Sequence, residues 1–365
     1  MKIGIIGLPQ VGKTTIFNVL TKSDIEIQNF SRGIEANIKN IKVPDSRLEN
    51  LQKIYEPKKF TPAEIEYVDI AGITSSENKQ VKGLDRQLVN MIKNSDAFLH
   101  VVRAFNDENV IHVEDTIDVA RDYENVDTEL VLTDLDLVEN KIERLEKGFK
   151  KKKPEKIEEI EYEIMKKCKE HLEEFKPLRE IEFSEDDLRI LNGYQLLSLK
   201  PVLVVVNIDE DQLDEAEKIE ADLAEKMSMD KAFVMTMCAK IEMEISQLDD
   251  EEAQIFMDDL GITESSMTKI VQKSYDKLGL ISFFTVGKDE VRAWTIKDGT
   301  KAVKAAGKIH SDIEKGFIRA ELIGYEDFVG CDASMQKAKE KGLLRLEGKE
   351  YIMKDGDIVN FRFNV

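Results

Sequence analysis

Three cysteines are all that this chain of 365 residues carries, and Cys168, Cys238 and Cys331 stand far apart, without the spacing of a metal-binding cluster. That excludes a zinc-finger-type site and a disulfide framework. It favours small, reduced core residues, as in a cytoplasmic protein. No run approaches eighteen apolar residues, which excludes a membrane-spanning helix and any role that needs one. The first residues enter an apolar strand at once, so no signal peptide is expected. An excess of positive charge is also missing: 53 Lys and Arg stand against 73 Asp and Glu, a net charge of −20. A global footprint for nucleic acid is therefore absent, no DNA partner is expected, and any RNA contact must be local. The local candidate is Lys147-Gly148-Phe149-Lys150-Lys151-Lys152-Lys153-Pro154, whose plainer reading is a solvated helix tip. No internal repeat and no other biased tract is found.

Against these absences stands a phosphate motif at the start of the chain. Lys2-Ile3-Gly4-Ile5-Ile6 reads as a short buried strand, Gly7-Leu8-Pro9-Gln10-Val11-Gly12-Lys13-Thr14 follows, and Thr15 to Leu20 begins a helix. This is GxxxxGK[ST] between a strand and a helix. The glycines let successive N–H groups turn toward a phosphate at the positive end of a helix. Lys13 suits the β- and γ-phosphates, and the Thr14 hydroxyl suits Mg²⁺. A glycine-rich turn without a ligand would not need that flanking strand and helix.

Apolar residues make up 42% and charged residues 35%, a soluble globular composition long enough for two or three domains. To about residue 125, apolar strands alternate with helices. Glu64 to Ile70 is one strand, and Ala97 to Val102 is another that reads as buried and parallel. From Thr128 to Phe149 the apolar residues Leu130, Leu135, Val138, Ile142 and Leu145 predict a long amphipathic helix. After Pro154 a second helix carries Ile157, Ile160, Ile164, Cys168, Leu172 and Phe175 on one stripe, completing an antiparallel coiled-coil hairpin. The α/β pattern resumes with strands at 201–206 and 233–237, so the hairpin is an insertion. A small α+β unit from about Gly279 to Val365 closes the chain, with strands at 281–286 and 291–296 and a turn at Lys354-Asp355-Gly356-Asp357.

Further motifs refine the chemistry. Asp69-Ile70-Ala71-Gly72 ends its strand as a DxxG element, in which the Asp holds Mg²⁺ through water and the Gly N–H senses the γ-phosphate. The next residue, Ile73, cannot orient a water, so either another group does so or intrinsic hydrolysis is slow. Guanine-specific enzymes carry NKxD after the later strand; here the residues are Asn207-Ile208-Asp209-Glu210. A carboxylate one methylene longer weakens guanine discrimination, and adenine becomes plausible. The plainer reading of Asn207 is a helix cap. Cys238-Ala239-Lys240 stands where such a domain has its SAK loop.

With these residues, and with His100 to Phe105, Glu290 to Ile296, Gly316 to Glu321 and Asp355 to Val365, the chain resembles the YchF / Obg-like ATPase family over essentially its whole length. The resemblance implies a P-loop G domain (1–127 and 200–278), an inserted helical coiled-coil domain (128–199) and a C-terminal TGS domain (279–365). It implies Mg²⁺-dependent hydrolysis of ATP in preference to GTP, and association with the ribosome or its RNA. Gly7 and Gln10 to Thr15 (Gln10, Val11, Gly12, Lys13, Thr14, Thr15) would bind phosphates, with Lys13, Asp69 and Gly72 catalytic and Thr14 and Asp69 on the metal. Asn207, Ile208 (through its backbone), Glu210, Cys238 and Ala239 would form the base end. Arg292 and Trp294 read as core and strand-edge residues. Four departures stand out: Gln10 replaces Asn, Cys238 replaces Ser, the segment 29–37 is one residue short and lacks the usual Thr (Ser31 being a candidate substitute), and the loop after Ile73 keeps only Gly83-Leu84 of a Gly/Ser-rich sequence. The expectation is a cytoplasmic ATPase of slow intrinsic turnover. An adenine-nucleotide switch with negligible hydrolysis, or a GTPase, is the alternative.

Overall fold

Short apolar runs become five parallel strands in the computed structural model, which describes residues 1–21, 37–70, 84, 86–262 and 264–364. They are β1 (Lys2–Ile6), β4 (Glu64–Asp69), β5 (Ala97–Arg103), β6 (Val202–Asn207) and β7 (Val234–Met237), in the order β4-β1-β5-β6-β7, with β2 (Asn37–Lys42) beside β4. All seven residues of β5 and all six of β6 are buried, as strands covered on both faces must be. The register pairs Ile5 with Asp69, Arg103 with Asn207, and Asn207 with Met237. These carboxyl ends share one edge of the sheet, the usual place for a ligand in an open parallel α/β sheet.

Five helices frame the argument: α1 (Lys13–Thr21), α2 (Ser46–Tyr55), α3 (Arg86–Ile92), α4 (Val119–Phe149) and α5 (Lys156–Glu173). The long helix starts earlier than the expected Thr128. Asp118 caps it by accepting from the Ala120 and Arg121 amides, and Tyr123 and Val126 in its added turns are buried. Helix α4 thus belongs to both the α/β layers and the hairpin. The α5 stripe is also corrected. Ile164, Cys168 and Leu172 are buried with Val131, Leu135 and Val138 of α4, whereas Ile157, Ile160 and Phe175 are exposed. The shared core lies at the base, where Leu178, Leu191 and Leu196 close it. The tip extends beyond that core, and Phe175 turns outward in a left-handed backbone conformation.

Buried polar groups pin the hairpin's base. Asp134 accepts from the Leu197 and Ser198 amides and from the Ser198 hydroxyl at 2.8, 2.7 and 2.6 Å. Burial pushes its carboxyl up to about 6 against those bonds. Arg179 grips both Asp127 oxygens at 2.6 Å and the Tyr123 hydroxyl at 3.0 Å.

A second sheet runs β11 (Arg345–Glu347), β10 (Phe317–Gly324), β12 (Asp357–Phe363), β8 (Leu280–Thr285), β9 (Glu290–Lys297) and β3 (Lys59–Thr61). Its apolar face, with Phe283, Phe317 and Leu322, packs on Ala302, Ala305 and Ala306. Small side chains let that helix lie close. Trp294 and Arg292 are half-buried on β9, with the guanidinium 3.8 Å from the indole centroid.

The compact units of the chain are Met1–Lys39 with Glu66–Met267, and Asn40–Ile65 with Thr268–Val365. The segment 40–65 joins the C-terminal residues through named contacts. Arg47 pairs with Asp45 and Asp355 and lies over the Phe284 ring, Tyr55 stacks on Phe328, and β3 pairs in parallel with β9. Among the described residues no helix is long and apolar enough to cross a membrane.

His100 on β5 is 2% exposed, stacks on Tyr123 and leaves Nε2 without a hydrogen-bond partner among the described residues. Burial, reinforced by the Arg179 and Lys13 charges, pushes its imidazole down to about 3. Between pH 3 and 6.5 the unfolded chain therefore binds a proton that the folded chain refuses, and stability falls as pH falls through that window. The contribution is on the order of 2 kcal/mol at pH 5. His100→Phe should flatten that acid limb in urea melts from pH 7 to 5; an unchanged slope would contradict the assignment.

Candidate nucleotide site

The phosphate loop between β1 and α1 closes on itself through two glycines that admit no side chain. At Gly7 (φ 148°) a Cβ would lie 2.3 Å from the Val101 carbonyl oxygen; at Gly12 (φ 97°) it would lie 2.4 Å from Asn207 Nδ2. Gln10 also sits in the left-handed region at φ 60°. Asn tolerates that region better than Gln does, which gives the Gln10 departure a physical cost.

Lys13 is buried, and Nζ donates to the Gly7 and Leu8 carbonyls at 3.2 and 2.6 Å. Burial pushes its ammonium down to about 8, against the pull of Asp69. The Thr14 hydroxyl donates to Asp69 Oδ2 at 3.0 Å, so the β1 loop and the end of β4 meet. Burial raises Asp69, with the Thr14 hydroxyl, Lys13 and Asn37 pulling the other way. Its Oδ1 is buried with no hydrogen-bond partner among the described residues. An orphaned carboxylate oxygen next to a hydroxyl is a hard oxygen donor set that fits Mg²⁺. Among the described residues no group of three or more His, Cys, Asp or Glu could hold a metal ion by itself, so water and phosphate would complete the shell. Gly72, Ile73 and Ser31 lie outside the described residues.

At the other end of the loop Asn207 is a bridge, not a helix cap. Its Nδ2 donates to the Val11 carbonyl at 3.0 Å, and its Oδ1 accepts from the Ala239 amide at 3.1 Å. The buried amide thereby ties the phosphate loop to the 238–240 turn. Ile208 is buried, and its N–H is committed to the Met237 carbonyl at 3.0 Å, which leaves its carbonyl for a ligand. Asp209 accepts from the Asn106 amide at 2.7 Å. Glu210 is exposed and its carboxylate makes no hydrogen bond or ion pair among the described residues. Cys238 precedes the helix Ala239–Gln247 at its cap position but makes no side-chain cap bond. Thr15 is half-buried.

Arg103 is the residue that pattern reading passes over. It is buried at the end of β5, 4.3 Å from the Phe105 ring centroid, and donates to the carbonyls of Phe105 and Val110 at 3.0 Å. It moulds the 104–118 loop, which His112 also secures: Nδ1 accepts from the Glu114 amide, and Nε2 lies 2.8 Å from Asp122 Oδ2. The only hint in sequence is a charge closing an otherwise apolar strand.

A parallel α/β sheet whose first loop holds Lys13 and Thr14 against Asp69, with Asn207 behind it, defines a P-loop NTPase. Comparison with known proteins agrees. A family model described as a 50S ribosome-binding GTPase matches residues 2–158, and one for the C-terminal part of YchF GTPases, described as a protein of unknown function, matches residues 280–364. The chain is similar to Ribosome-binding ATPase YchF of Bacillus subtilis, 44% identical over 99% of each chain. The protein of the same name from Escherichia coli O157:H7 is 42% identical over 100% of this chain and 99% of its own. The solved structure of the Schizosaccharomyces pombe YchF GTPase superposes with a TM-score of 0.84 at 33% identity, covering 99% of this chain and 97% of that one. The chain belongs to the YchF family.

Replacing Gln10 by Asn should stabilise the fold by roughly 0.5 kcal/mol, because Asn tolerates left-handed backbone better. Urea melts of the two proteins check this; a less stable Gln10→Asn variant would remove the strain argument.

Proposed function

We propose that the protein is a Mg²⁺-dependent ATPase of slow intrinsic turnover that associates with the ribosome in the cytoplasm. The observation that carries this reading is the meeting of Lys13, Thr14 and Asp69 at one end of the site with an unpartnered Glu210 near the other. An arriving triphosphate would exchange its oxygens for the two carbonyls that Lys13 now holds. Because the ammonium is already out of water, it meets the phosphate charge without a further desolvation cost. Mg²⁺ neutralises charge across the β- and γ-phosphates when bound. Thr14 would ligate it and Asp69 would hold it through water, with the Gly72 N–H on the γ-phosphate. The longer Glu210 side chain weakens guanine discrimination, and the Ile208 carbonyl would accept from the adenine 6-amine where guanine presents an acceptor oxygen.

Residues 1–127 and 200–278, less the segment 40–65 that groups with the C-terminal residues, would form the nucleotide domain, 128–199 the inserted coiled coil and 279–365 the TGS domain. Ribosome association is supported by the names of the bacterial relatives. Lys150 to Lys153, all exposed at the hairpin tip, are the candidate contact on a background of −20. A second reading, an adenine-nucleotide switch with negligible hydrolysis, is favoured by Ile73, which offers no hydrogen bond to water.

Lys13→Ala should abolish turnover while leaving the urea melt in place; an unchanged rate would sink the assignment. In single-turnover assays, product formed only at the uncatalysed rate would favour the switch. In competition, guanine nucleotide winning by about tenfold would refute the account of Glu210. Ribosome co-sedimentation should weaken steeply with salt, and neutralising Lys150 to Lys153 should reduce it. Unaltered co-sedimentation would exclude the tip.

A further inference from the structure

Among the described residues, the C-terminal sheet leaves one lane unpaired. Strand β12 pairs with β10 along its whole length, from Asp357 opposite Gly324 to Phe363 opposite Phe317. On its other side it runs parallel to β8, but among the described residues Ile358 opposite Phe284 is the only paired position, because β8 ends at Thr285. The direction of the free groups follows from the pleat. The Asn364 amide donates to the Gly316 carbonyl, toward β10. Backbone groups alternate sides along a strand, so the amides of Phe363 and Phe361 and the Phe361 carbonyl face the lane that β8 has left. None of the three has a hydrogen-bond partner among the described residues.

A cleft of about 710 Å³ lies along this edge, lined by Thr285, Val286 and the β12 residues Ile358 to Phe361 and Phe363. It is walled on both faces of the sheet. Ile309 and Ile313 stand on the side of the Phe361 core, and Tyr55 stands on the side of Ile358 and Phe284, where α2 lies. A cleft that served only as a receptacle for an apolar molecule would not need an unpaired strand edge. The exposed Lys339 at its rim makes no ion pair among the described residues, whereas the neighbouring Glu321 is taken by Arg362.

We propose that this lane is a peptide-binding site: an extended segment of a partner protein adds as a strand beside Asn360–Phe363, apolar side chains entering the walls on both faces and an acidic residue meeting Lys339. Main-chain bonds to Phe361 and Phe363 would supply affinity and the two walls selectivity. At roughly 3.3 Å per residue, four or five residues fill the lane.

The chain's single tryptophan reports on the site, since Trp294 Nε1 donates to the Thr285 hydroxyl at 2.9 Å. The probe is a pool of acetylated five-residue peptides, with valine, isoleucine, leucine or phenylalanine at the three central positions and aspartate or glutamate at the ends. Members of the pool should change Trp294 fluorescence saturably and slow hydrogen exchange of the Phe361 and Phe363 amides. Methylating the peptide's backbone nitrogens should weaken binding by about tenfold or more, the worth of a lost backbone bond. Phe363→Pro removes an outward amide without touching the ladder to β10 and should act likewise, while ATP binding stays as in the parent. Lys339→Glu should reverse the preference for acidic ends. Silence across the whole pool would overturn the proposal. Equal affinity for methylated peptides would also overturn it, by showing a cleft that takes side chains without a strand.

Discussion

The approach of the phosphate-loop backbone to its neighbours at the carboxyl edge of the parallel sheet, closer than any Cβ permits, is the constraint on which the nucleotide site depends. Gly7 lies against the Val101 carbonyl, and Gly12 against the Asn207 amide. Only because both lack side chains can Asn207 reach Val11 with one end of its amide and Ala239 with the other. Phosphate loop, base loop and the turn after β7 are then one hydrogen-bonded body, with both ends of the buried amide engaged. Lys13 and Asp69 are placed within that frame and not by each other alone. The cation is held by carbonyls, and the carboxylate keeps one oxygen unspent.

The same logic of satisfied buried polar groups locates the helical insertion. Asp134 and Arg179 are charges that the interior would otherwise reject, and each is saturated only when the returning chain near Ser198 and the start of α4 come together. Apolar packing then needs to cover only the base of the hairpin. The tip can stay lysine-rich and exposed, free of any demand from the core.

Much of this was legible from residues alone. The strand, glycine loop and helix at the N-terminus, the Asp69 strand end and the 207–210 loop are local patterns whose geometry depends on neighbours in sequence. Less was legible where distant groups decide. The helix α4 was expected from Thr128 because its apolar period is clearest there; the Asp118 cap and the burial of Tyr123 extend it to Val119. Ile157 and Ile160 follow the same stripe as Ile164, yet period cannot say how far along the hairpin a partner helix and a base exist to cover them. Arg103 lies within the recognised stretch His100 to Phe105, but its role did not show there, because that role is to satisfy carbonyls of a loop whose path only the fold defines.

The sequence by itself therefore determined the phosphate-loop motif and most of the order of strands and helices along the chain, since glycine freedom, capping and apolar period act over a few residues. Tertiary structure alone decided that residues 40–65, which precede Asp69 in the chain, group with the C-terminal sheet. Their hold consists of Arg47 on Asp355 and β3 on β9, contacts between residues more than two hundred positions apart. It also decided which strand edge was left unpaired at Phe361 and Phe363. Pairing and burial at such separations are settled by which surfaces remain to be covered once every local element has formed.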